Sequence, residues 1–101
     1  MYFSDDEFTG NSTSYIMEIA SYPDKFSDDI TVEISADSED HCIIVLSNQM
    51  GRILRMMGVN VNQGKNQIHV DNVNSLDAGI YQLSVKNKNS NVLYSSILTK
   101  F

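Results

Sequence analysis

The sequence predicts an all-β domain, a sandwich of about seven antiparallel strands in two sheets, from three observations. Apolar residues recur with period two: Ile30, Val32 and Ile34 alternate with Thr31, Glu33 and Ser35, which sends one set to each face of an extended chain. No window sustains helical spacing, because Asn, Gly or Ser interrupts every candidate. Short apolar runs are separated by turn-forming clusters at the spacing that sandwiches use. The 101 residues suit one hydrophobic core, and 42% hydrophobic against 20% charged is ordinary globular composition.

Taken in order, residues 1–14 lack periodicity and carry Asp5-Asp6-Glu7 and Gly10-Asn11-Ser12-Thr13-Ser14, so they read as a linker or disordered leader. The sandwich then occupies residues 15–101. Tyr15 to Ala20 supplies a first strand and Ile30 to Ser35 a second. Cys42 to Ser47 is a continuous run rich in β-branched residues, the pattern of a strand covered on both sides. Ile53 to Met57, Gln67 to Val70, Ile80 to Lys86 and Val92 to Thr99 complete the set. Asn48-Gln49-Met50-Gly51 closes a hairpin, with Gly51 free to adopt the left-handed conformation. Gly58 and Gly64 bracket a longer loop or edge segment, and Asn87-Lys88-Asn89-Ser90-Asn91 is a polar turn between the last two strands.

The charge is unevenly distributed. Residues 1–40 hold eleven acidic side chains against Lys25, a net of -10, and residues 41–101 hold Asp71 and Asp77 against six Lys and Arg, a net of +4. An acidic chain of this kind lacks the clustered cations that nucleic acid demands. The longest apolar run, Cys42 to Leu46, is far short of the roughly 20 residues of a membrane helix. The opening residues do not form a secretory signal peptide.

Chemistry is sparse. The single cysteine, Cys42, forms no intramolecular disulfide and builds no cysteine-rich zinc site. His41 and His69 lack ligand partners at strand spacing, and Cys42 and His41, adjacent on a strand, face opposite ways. Asp24, Asp28, Asp29, Asp37, Glu39 and Asp40 fit no calcium-loop spacing and read as solvated loop charge. Met50, Met56 and Met57 read as core filler or hairpin surface. Asn11-Ser12-Thr13 matches the glycosylation sequon only as a short pattern. The sequence thus predicts no catalytic residue, no metal ligand and no cofactor site.

Two resemblances carry the functional expectation. Leu76-Asp77-Ala78-Gly79-Ile80-Tyr81-Gln82-Leu83 resembles the tyrosine corner of immunoglobulin-type sandwiches, where a tyrosine hydroxyl reaches back to the preceding loop. Leu83 stands where such domains place a disulfide cysteine, and the chain has no tryptophan, so the resemblance supports an immunoglobulin-like sandwich rather than an antibody-type domain. Residues 22–101 also resemble the type A C-terminal sorting domain of the bacterial type IX secretion system. Tyr22-Pro23-Asp24-Lys25-Phe26 is similar to that family's opening Tyr-Pro-Asn-Pro motif, with Asp24-Lys25 in place of Asn-Pro. Asn48-Gln49-Met50-Gly51-Arg52 resembles its central hairpin, and Leu76, Gly79 and Tyr81 its Leu-x-x-Gly-x-Tyr block. Lys100 matches the lysine of its closing strand, although Phe101 stands where the family often ends on a basic residue.

The resemblance implies a non-catalytic secretion signal, recognised by the outer-membrane translocon and removed by a sortase-like peptidase. It implies a cargo domain and a signal peptide upstream, and transit through the periplasm to the outer-membrane surface or beyond. Recognition is expected to use a folded surface and an exposed final strand, with Val92-Leu93-Tyr94 and Ile97-Leu98 as anchors and Lys100 as the charge. On this view deleting Thr99-Lys100-Phe101 barely affects folding. The alternative is a small accessory or adhesive sandwich that binds carbohydrate or protein at the cell surface.

Overall fold

A computed structural model describes residues 17–101. The leader 1–14, and Tyr15 and Ile16 of the expected first strand, lie outside the described residues. Alternation decides which side chains meet. The strand β1 (Met17–Tyr22) turns Met17 and Ile19 to the core, and a two-residue strand, β2 (Lys25–Phe26), buries Phe26. Next, β3 (Thr31–Ala36) buries Val32, Ile34 and Ala36 and leaves Glu33 and Ser35 half-exposed. It is followed by β4 (Asp40–Asn48), β5 (Ile53–Val61) and β6 (Gly64–His69). A 3-10 turn, Val73–Ser75, precedes β7 (Gly79–Asn87) and β8 (Val92–Lys100).

Two sheets result, ordered β1-β3-β6 and β2-β8-β7-β4-β5. All neighbours are antiparallel except β2, which runs parallel to β8. The facing rows are Val32, Ile34 and Ala36 from one sheet, and Cys42, Ile44, Leu46, Leu83, Val85 and Leu98 from the other. Fully burying an aliphatic side chain of this size contributes about 1.5–3 kcal/mol, so these rows are the main stabilising element. The all-β sandwich is as the sequence predicts. Among the described residues no helix is long and apolar enough to cross a membrane, which leaves β-barrels untouched.

Three details refine the sequence reading. The described residues form eight strands, because two residues after Pro23 suffice to pair with β8. Of the two readings of the Gly58–Gly64 segment, the edge one holds: β5 continues to Val61 as an edge strand, and the chain crosses to the other sheet at Asn62-Gln63. Asn66 fastens that crossing, accepting the Asn62 N–H at 3.0 Å and donating to the Asn62, Gly64 and Ile34 carbonyls at 2.9, 3.2 and 3.1 Å. Finally, β4 has a core on one face only. Val45 is buried on the outer face between Met56 and Ser84, its register partners, while Ile43 is partly exposed. A central strand is shaded by its neighbours, which produces a continuous apolar run without a third layer.

Candidate recognition surface

β7 gathers most of the singled-out residues at one end of the five-stranded sheet. Gly79 enters the strand at φ +155°, a conformation L side chains rarely adopt. Tyr81, two residues on, faces the core; its hydroxyl donates to the Asp77 carbonyl at 2.5 Å, the geometry of the tyrosine corner. Its ring leans on Phe26, with centroids 6.1 Å apart and planes at 60°. In register, Tyr81 lies between Asn48 of β4 and Leu98 of β8, and Gly79 lies beside Lys100, which pairs in turn with Phe26. Leu76 packs half-buried against the core just before this end. Asn48, Gly51, Gly79, Tyr81 and Lys100, spread over half the sequence, therefore meet through strand register.

Tyr22 and Pro23 relate to this end differently. The Tyr22 ring lies on the outer face of the three-stranded sheet, where its hydroxyl donates to Glu33 at 3.1 Å. Gln67 also donates to Glu33, at 3.0 Å, and these two hydrogen bonds hold the Glu33 carboxyl below the usual carboxylate range. The same Glu33 contact pushes the Tyr22 phenol up. Pro23 follows through a cis peptide bond, after which the Asp24 carbonyl accepts the Thr99 N–H at 2.8 Å. The opening motif thus reaches the far end of the chain through its backbone rather than through Tyr22.

The two hairpins of the large sheet are built alike. Asn48 Oδ1 accepts the N–H groups of Met50 and Arg52, both at 3.0 Å, while Gly51 adopts φ +83°. Asn87 Oδ1 accepts the N–H groups of Asn89 and Asn91 at 2.9 and 3.0 Å, with Ser90 at φ +69° in the equivalent place. In each, an asparagine carbonyl oxygen replaces the missing ladder partner, and the fourth residue turns left-handed. The Asn-x-x-Gly and Asn-x-x-Ser spacings were the signal for this shared construction.

The sequence reading passed over Arg55, whose side chain clamps the connection from β6 to β7. Its guanidinium donates to the Asp71 and Asn72 carbonyls at 3.3 and 2.7 Å and to Ser75 Oγ at 3.1 Å. A planar fork of donors suits a loop that turns several carbonyls one way. This clamp fixes the approach to Leu76 and the corner.

The final strand corrects an expectation. Its last residues are not free: Thr99 and Lys100 pair with β7 on one side and with Lys25 and Phe26 on the other. Phe101 adds an N–H donated to the Phe26 carbonyl at 3.1 Å. Nor does Lys100 stand out as a free charge, being 9% exposed with Nζ donating to the Phe101 carbonyl oxygen at 3.2 Å. Only the upstream part of β8 is an edge. On the outer face Ile97 and Ile80 stay exposed beside a shallow hollow of about 320 Å³, also lined by Asn48, Gln49, Gly51 and Tyr81.

Among the described residues the candidate nucleophile and the two imidazoles make separate contacts. Burial pushes the Cys42 thiol up, while His41 is exposed and shares a hydrogen bond of 2.9 Å with Asn60. His69 Nδ1 lies 2.8 Å from Asp29 and 3.4 Å from the Thr31 hydroxyl, so one nitrogen serves both contacts. Relay from a nucleophile through an imidazole to a carboxylate requires both ring nitrogens. Among the described residues no three His, Cys, Asp or Glu side chains converge as metal ligands.

The family model described as the secretion system C-terminal sorting domain matches residues 20–99. No curated protein matches. Among solved structures, a crystal structure of selenomethionine-labelled β-glucosidase from Kluyveromyces marxianus is similar with a TM-score of 0.53 and 13% identity over 88% of this chain. The chain spans 14% of that protein's length, and the likeness is one of fold alone.

Proposed function

The chain belongs to the type IX secretion C-terminal sorting domain family, and from that premise we propose that its folded surface is what the outer-membrane translocon recognises. A sorting signal of this type directs export toward the outer membrane or the extracellular space, and such domains are generally non-catalytic. In the proposed sequence of events, an upstream signal peptide delivers cargo and sorting domain to the periplasm, where the sandwich folds. The translocon then engages it, and a sortase-like peptidase removes it as the cargo reaches the surface.

The observation that carries this reading is the family match across residues 20–99. Its physical support is that the family-like motifs around Pro23, Asn48, Gly79, Tyr81 and Lys100 share one end of one sheet. Tyr81 and Lys100 are buried there and hold that end in shape, so a receptor reads the surface they build, where Ile80 and Ile97 are exposed, rather than their side chains. Fusing residues 15–101 to a reporter in a type IX-competent bacterium tests the proposal. The reporter is expected in the medium or at the cell surface; retention inside the cell with a folded domain counts against it.

A further inference from the structure

We propose that the open edge of β8 around Ser95 and Ile97 is a strand-accepting site, into which the export apparatus inserts an extended segment of its own that lengthens the five-stranded sheet. This rests on the sorting-signal reading above and adds the mode of binding and the kind of partner.

Strand parity identifies the groups. Thr99 and Phe101 donate their N–H groups toward β2, to Asp24 and Phe26. N–H groups two residues apart on an extended strand point the same way, so Ser95 and Ile97 direct theirs to this side too. β2 pairs only with Thr99 and Lys100, and among the described residues no strand pairs with the rest of this side. The chain's own Lys25–Phe26 thus occupies the last two positions of a docking track whose upstream positions stay open. A hydrogen bond of 2.8 Å between Ser21 and Tyr94 ties the two sheets together here, so the edge is already in place before anything binds.

Composition separates this edge from the others. Natural edges are blunted by charge, proline or brevity. β1 carries Glu18, β5 carries Arg55 and β6 carries Lys65, whereas Val92 to Thr99 contains no proline and no charged residue. Ile97, 61% exposed, and Leu93, 41% exposed, offer apolar anchors beside that backbone. The complementary partner is an extended polypeptide with apolar residues at alternate positions, the usual chemistry of strand addition.

Two measurements on the full chain test this. In amide hydrogen exchange at low protein concentration, Ser95 and Ile97 are expected to exchange faster than Ser96 and Leu98. Equal protection means that the leader or a second copy already covers the edge, and overturns the proposal. In the reporter-export assay, Ser95→Pro removes one outward N–H and spares the β7 ladder. It is expected to fold, as judged by circular dichroism, and to lower export about tenfold, the scale of one lost interchain hydrogen bond. Undiminished export of folded Ser95→Pro overturns strand addition while leaving the sorting reading intact. Failure of the unmodified fusion to be exported defeats the sorting reading and this proposal with it. Should Ser95→Pro not fold, Ile97→Pro replaces it; if neither folds, those N–H groups serve the fold itself and the edge is not open.

Discussion

Tyr81 shows how one hydroxyl fixes the end of a sheet. Its ring is buried against Phe26 and its oxygen reaches the Asp77 carbonyl, closing the loop that leads into β7. Tyr81→Phe keeps the ring and leaves that carbonyl without its donor. It is expected to cost about 1–2 kcal/mol in urea denaturation, and no measurable loss removes the corner as a stabilising device. Ser90 is the opposite case. It holds φ +69°, where Gly51 sits in the twin hairpin, and a side chain in that region is strained. Ser90→Gly is therefore expected to stabilise by about 0.5–1 kcal/mol, the relief of strain less the added freedom of the unfolded chain. A lower melting temperature for the variant contradicts this account.

At the scale of elements, the end of β8 is joined to a short strand near the start of the described residues. Lys25–Phe26 pairs with Thr99–Lys100, and the bonds from Thr99 to Asp24 and from Phe101 to Phe26 flank the pair. Deleting Thr99-Lys100-Phe101 is thus expected to destabilise the sandwich by at least about 1–3 kcal/mol, through those two bonds alone. An unchanged unfolding midpoint means that β2 contributes nothing. The consequence for export is practical: loss of secretion on truncation reports folding as well as recognition. A point change at Ser95 separates the two, because the β7 ladder and the β2 pairing both remain.

For the whole molecule, Cys42 is a built-in reporter of unfolding. It is fully buried on the inward face of β4, and that burial pushes the thiol up, away from the reactive thiolate. A thiol reagent such as dithionitrobenzoate is expected to label it only as fast as the domain unfolds. Labelling at the rate of a free thiol contradicts the closed core. The large-scale asymmetry lies in the sheets. The outer face of the smaller sheet carries the polar group of Tyr22, Glu33 and Gln67, while that of the larger exposes Ile53, Met56, Ile80 and Ile97. A partner that covers apolar surface therefore has a side to prefer.

Much of this was legible in the residues themselves. Alternation at Ile30 to Ser35, and the residues Gly51 and Gly79, specify local backbone conformations, and a period of two allows only one assignment of faces. The Asp-x-Gly-x-Tyr spacing likewise implies a corner, since hydroxyl and carbonyl are four residues apart. What stayed hidden depended on distant partners. Lys25-Phe26 is too short to announce itself as a strand and exists only because β8 lies alongside. Lys100 looks like a free terminal charge until β7 and β2 enclose it. Asn62-Gln63 carries no mark of a change of sheet. The sequence by itself determined the class of fold, the turns and the corner, because these arise from interactions within a few residues. Only the tertiary structure decided which stretches of strand edge are paired and which stay open, because pairing between strands far apart in the chain has no local signature.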